Sequence, residues 1–182
     1  MKPATLFLVL AVCVVAVPVR AEAPSAPYAG QQARPIKALS DDDIAALRNG
    51  EGMGMAKAAE LNGYPGPAHV LTLAKQLGLT EGQLQQVQAI YDRMSAAAKP
   101  LGAELIERER VLDQLFAKSE ITPDRLAAET AAIGELEGRL RSVHLAAHLE
   151  TRVLLSPDQI ALYLQLRGYG DPAAPMHHQH HG

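Results

Sequence analysis

Apolar residues recur at steps of three and four from Leu84 through Val87, Tyr91, Met94, Ala98, Leu101 and Leu105, resuming at Leu112 and Leu115. Arg108 alone interrupts the series. This spacing lays a narrow apolar stripe along one helix face, the pattern of a coiled-coil seam. It predicts a helix from Glu81 to about Lys118, roughly 60 Å long at 1.5 Å per residue. Pro100 falls inside it, where it removes one backbone bond and should kink the axis. A second seam, Leu126, Ile133, Leu136, Leu140, Val143 and Ala147, predicts a helix from Pro123 to about Leu154. Only the short break at Ser119-Glu120-Ile121 separates the two, so they read as an antiparallel helical hairpin.

Shorter elements flank the hairpin. Ser40 followed by Asp41, Asp42 and Asp43 suits a helix start, with a capping hydroxyl and acids at the positive end of the helix. That helix should stop at Asn49-Gly50. A second short helix should end at Asn62-Gly63, ahead of the hard turn Pro65-Gly66-Pro67, and a third should run from Pro67 to about Leu77. A last helix should start at Ser156-Pro157 and reach about Arg167. Residues 22–39 lack periodicity and are rich in Ala, Pro, Gln and Gly, which predicts a flexible lead-in to a helical domain over residues 40–168. The tail, residues 169–182, is too polar and Pro-rich to pack, which predicts a disordered His-rich end.

Composition supports an all-α fold. Apolar residues make up 48 % of the 182-residue chain, only 4 % is aromatic and there is no Trp, so the core must be aliphatic. The N-terminus changes the picture further. Met1-Lys2, an apolar stretch from Leu6 to Val19 and small residues around Ala21 predict a secretory signal over residues 1–21. Cleavage after Ala21 fits better than cleavage after Ala23, which would leave Pro24 just past the cut. The stretch is short for a membrane span, and the expected mature chain has none. Cys13 is the only cysteine and lies within the signal; Val12 before it does not suit a lipid-attachment site. The expected mature protein is therefore periplasmic and free of thiol chemistry. The net charge of −3 becomes about −5 once Lys2 and Arg20 leave with the signal, a balance that argues against nucleic acid as a partner.

Two capping boxes share one pattern: Leu79-Thr80-x-x-Gln83 and Leu155-Ser156-x-x-Gln159. In each, the hydroxyl accepts from the N3 backbone N–H and the glutamine reaches back to the cap. A paired Leu-Thr/Ser-x-x-Gln on a small exported helical chain resembles the Spy/CpxP family of periplasmic proteins, over about residues 40–167. The segment GMGMAKAAELNGYPGPAHVLTLA is similar to a branch described as LTxxQ-motif or heavy-metal-associated proteins. The resemblance implies a four-helix fold, often dimeric with a concave face. It also implies one of two roles: holding unfolded clients without ATP, or binding transition metals and reporting envelope stress, with a membrane sensor protein as a further partner. Chaperone relatives tend to be basic, and this chain departs from that, although Arg108 and Arg110, and Arg139 and Arg141, cluster locally.

Histidines carry the candidate chemistry. His144 and His148 lie one turn apart on one helix face, a spacing that can chelate Zn, Ni or Cu. Leu145 stands where a metalloprotease helix needs Glu. The alternative is a polar flank, with Glu137 and Arg141, that hydrogen-bonds across the hairpin. Glu51, Met53, Met55, Glu60 and His69 are loose additional ligands. His177, His178, His180 and His181, with Met176, form a tail cluster able to bind divalent ions. Met53, Met55 and Met94 could offer thioethers to copper, or simply fill the core. The chain shows no phosphate loop, serine elbow or cysteine nucleophile, so no enzymatic activity and no obligatory cofactor are expected. The expected function is ATP-independent binding of unfolded or envelope proteins as a homodimer; the alternative is metal binding or sensing on the same fold.

Overall fold

The computed structural model describes residues 26–169, so the expected signal, both candidate cleavage sites and the tail histidines lie outside the described residues. Residues 26–32 belong to a first unit, and the helical body begins at Ala33. The body is all helical among the described residues: α1 (Asp41–Asn49), α2 (Lys57–Glu60), α3 (Pro67–Thr72), α4 (Glu81–Ala117), α5 (Pro123–Leu154) and α6 (Pro157–Leu166). α4 and α5 form the predicted hairpin. Among the described residues, no helix is long and apolar enough to cross a membrane.

The local signals that start and stop these helices act as expected. Ser40, Thr80 and Ser156 each close a reciprocal capping box, and Thr122 caps α5 ahead of Pro123. Gly50 ends α1 in the left-handed conformation. α4 continues across Pro100. α3 is shorter than predicted: regular helix ends at Thr72, and turns carry the chain to Gly78.

Two apolar clusters hold the body. The larger joins Ile36, Leu47, Ala98, Leu101, Leu105, Ile106, Ile133, Leu136 and Leu140. The smaller joins Val70, Leu77, Val87, Leu155 and Tyr163. The buried stripe of α4 is wider than a single seam because α1 and α3 also pack on it, which brings in Ile90, Gly102 and Ile106. On α5 the buried series is Ile133, Leu136, Leu140, His144, Ala147 and Thr151, so His144 takes the seam position expected of Val143. Leu84 and Leu126, expected in the seams, lie exposed near the helix starts. The flexible lead-in also needs correction at its C-terminal end. Ile36 is 1 % exposed within the larger cluster, and Lys37 donates from backbone N (3.3 Å) and Nζ (3.2 Å) to the carboxylate of Asp113.

Gly102 sets the approach of α1 to α4. A Cβ there would sit 2.2 Å from the Leu47 carbonyl oxygen and 2.8 Å from its carbon, both backbone atoms. Gly102→Ala should therefore cost about 1–3 kcal/mol through forced separation of the helices. At Gly134, where nothing lies within 4 Å, Gly134→Ala should stabilise by about 0.5–1 kcal/mol through helix propensity. Urea unfolding of the two variants should give opposite signs; equal signs would refute the packing account.

Candidate functional site

One face of α5 presents His144, His148 and Arg152 to α2, the turn that follows it and the start of α3. Arg152 holds the turn from one side. Its guanidinium donates to the Gly63 carbonyl at 2.6 Å and lies 4.7 Å from the centre of the Tyr64 ring. One turn earlier, Nδ1 of His148 lies 2.7 Å from the Tyr64 carbonyl oxygen. A carbonyl can only accept, so Nδ1 carries the proton and Nε2 keeps the lone pair in the neutral ring. A backbone carbonyl on the far nitrogen is the usual device for orienting a metal-ligating imidazole. Gly66 makes room for this ring: a Cβ there would lie 2.8 Å from both Cε1 and Nε2 of His148.

His144 is 3 % exposed, and its Nε2 is buried without a hydrogen-bond partner. Its Nδ1 edge packs on Gly52. Burial, and secondarily the charge of His148, lowers its pKa and keeps the ring neutral. His69 is likewise shifted down, by burial first and then by the Arg167 charge.

Glu60 is the acid of the site. It is 8 % exposed, and its Oε1 accepts from the Tyr163 hydroxyl at 2.6 Å and from Arg167 Nε at 3.2 Å. Its Oε2 is buried without a hydrogen bond and lies 3.8 Å from His148 Nδ1. Burial and the Glu60 bond together raise the Tyr163 pKa, so the phenol stays protonated and donates. A buried polar atom left unpaired costs about 1–3 kcal/mol, and this site holds two of them.

Glu60, His69, His144, His148 and Arg167 line one cavity of about 490 Å³, together with Met53, Met94, Lys57 and Tyr169. Its size is that of a small-ligand site. Met53 adopts a left-handed φ of 44°, uncommon outside glycine, between Gly52 and Gly54 at the cavity wall. Among the described residues, no three His, Cys, Asp or Glu side chains are gathered closely enough to hold an ion by themselves.

Of the sequence candidates, the structure brings together His144, His148, His69, Glu60, Met53 and Met94. Glu51 lies apart and accepts from Asn49 at 3.1 Å. Met55 packs against the larger core, and with Glu137 and Arg141 it lines a different depression. Hydrogen bonding across the hairpin is not what occupies the His pair: His148 bonds the turn after α2, and His144 Nε2 bonds nothing. His177, His178, His180 and His181 lie outside the described residues. Sequence reasoning missed Gly66, Tyr64, Tyr163 and Arg167. The hard Pro65-Gly66-Pro67 turn pointed to a fixed backbone but not to its histidine partner. Three of the four locally clustered arginines have acidic neighbours: Arg108 with Glu129 at 3.5 Å, Arg110 with Glu107, and Arg139 with Glu135 at 3.9 Å.

The paired glutamines do more than cap. Gln83 Oε1 accepts from the Thr80 backbone N–H (3.0 Å) and Gln159 Oε1 from that of Ser156 (2.9 Å). Gln83 Nε2 donates to Gln159 Oε1 (2.9 Å) and to the Leu154 carbonyl (2.7 Å). Gln159 Nε2 donates to Gln83 Oε1 (3.1 Å) and to the Leu77 carbonyl (3.3 Å). Of the leucines that open the two motifs, Leu155 belongs to the smaller apolar cluster and Leu79 packs against it.

Comparison with protein-family models, with curated proteins and with solved structures finds no match.

The lowered histidine pKa values have a definite sign. Above the unfolded value of about 6.5 both states are neutral and no penalty exists. As pH falls below it, the unfolded chain takes up protons that folded His144 and His69 resist, so stability declines. Metal-free protein should therefore lose stability from pH 7.5 to 5, and His144→Asn should flatten that slope in thermal unfolding. An unchanged slope would show that His144 is not held neutral by the fold.

Proposed function

We propose that this chain is an exported binding protein of the Spy/CpxP type whose ligand is a transition-metal ion held in the cavity between α5, α2 and α3. The observation that carries this reading is the unpartnered, buried Nε2 of His144 in a cavity shared with His148, His69 and Glu60. Nothing in the fold compensates for desolvating that nitrogen, whereas an ion would. Burial holds His144 and His69 neutral, so both are ready to ligate without first losing a proton. His148 is already oriented by the Tyr64 carbonyl. On this reading the periplasm is the compartment, no catalysis takes place, and the tail histidines are a capture arm.

Metal at about one hundred times its Kd should stabilise the full chain by about 2.7 kcal/mol. In His144→Ala with His148→Ala, the thermal shift should vanish and calorimetric titration should show one tight site fewer. Unchanged stoichiometry and affinity for Zn, Ni and Cu in that double variant would disprove the site.

Client binding is a second reading, and the outer face of α5 favours it. Leu149 and Val153 stand one turn apart at 57 % and 81 % exposure. We propose this row as a contact for unfolded or envelope proteins. Stoichiometric protein should then suppress light scattering by a denatured client, and Val153→Glu should weaken the effect. Absence of suppression by the unaltered chain would remove this reading.

A further inference from the structure

The kind of ion follows from the donors that surround the histidine pair. α4 sends Met94 to the same cavity wall as His144 and His148 of α5. Along α4, Met94 follows Val87 of the smaller cluster and precedes Ala98 of the larger one. Glu60 turns its unbonded Oε2 toward His148 Nδ1 (3.8 Å), the ring nitrogen already bonded to the Tyr64 carbonyl, and not toward the free lone pair of the ring. Glu60 Oε1 accepts from Tyr163 and Arg167, and no third His or carboxylate is gathered with the pair among the described residues.

Zinc prefers four ligands and nickel prefers nitrogen and oxygen donors, so two imidazoles alone hold either ion weakly. Copper(I) is monovalent and soft, and it is satisfied by few donors, thioethers among them. Its single charge also suits a cavity whose wall carries Lys57 and Arg167 against one carboxylate, Glu60. We infer that the cavity is a copper(I) site in which His144 and His148 supply nitrogen and Met94 supplies sulfur. The inference rests on the metal-binding reading above and narrows it to one class of ion.

The test uses the full-length chain with His177, His178, His180 and His181 replaced by Ser, so that only the cavity is read. Copper(I) is titrated without oxygen against a chromophoric chelator, and zinc(II) is titrated separately. Copper(I) should bind at least about a hundredfold more tightly than zinc(II), and Met94→Leu should weaken copper(I) by about tenfold or more while leaving zinc(II) unchanged. X-ray absorption of the copper(I)-loaded chain should show sulfur scattering that Met94→Leu removes, and circular dichroism should show that the variant keeps its helix content. If His144→Ala with His148→Ala abolishes binding but Met94→Leu leaves copper(I) affinity and sulfur scattering intact, Met94 is not a ligand and this inference fails while the metal-binding reading stands. If the double histidine variant binds copper(I) as before, both fail.

Discussion

Two glutamine side chains, seventy-six residues apart in sequence, exchange hydrogen bonds at one end of the helical body. Each also satisfies a helix N-cap and a backbone carbonyl. Gln83 thereby joins the start of α4 to the end of α5, and Gln159 joins the start of α6 to the Leu77 carbonyl after α3. Four segments meet at one pair of amides. A side-chain amide offers two donors and one acceptor oxygen, and here every donor direction is used. The clasp sits beside the smaller apolar cluster, where a partly dry environment strengthens each bond and raises the cost of losing it.

The cavity draws part of its wall from the same helices: Met94 from α4, His144 and His148 from α5, Gly66 and His69 from the start of α3, and Arg167 from the end of α6. α2 adds Glu60, and Glu60 binds back to α6 through Tyr163 and Arg167. Polar and soft side chains collect at the cavity wall, and two of their atoms remain without a hydrogen bond. Burying unpaired polar atoms opposes folding, so the arrangement makes physical sense as a site completed by a ligand.

Much of the fold was legible in the chain because the signals were local. Thr80, Thr122 and Ser156 are caps whose chemistry is complete within four residues, and the three-four spacing of Val87, Ala98, Leu101 and Leu105 reads directly as a buried stripe. What depended on distant partners was not legible. Ile36 lacks periodic neighbours, and only the packing of its segment on the core buries it. Gly102 reads as an ordinary helical glycine until Leu47 is seen against it. His144 and His148 were visible as a pair through their one-turn spacing. Their surroundings required knowing that the turn after α2 folds onto α5. Glu60, His69 and Met94 were visible as residue types only, since nothing in sequence distance links them. The same holds for the two Leu-Thr/Ser-x-x-Gln motifs: each was readable as a cap, but their grip on one another was not.

If the clasp is what unites the helical ends, its two glutamines must act as a unit. A double-mutant cycle in urea unfolding with Gln83→Ala, Gln159→Ala and both together tests this most directly. Each single change should cost about 1–3 kcal/mol, because it removes a cap partner and strands a carbonyl or an amide. The pair should cost less than the sum of the two by about 1 kcal/mol or more, as expected for residues in one hydrogen-bond network. Strictly additive losses would mean that the two motifs cap their helices independently, and would contradict this account.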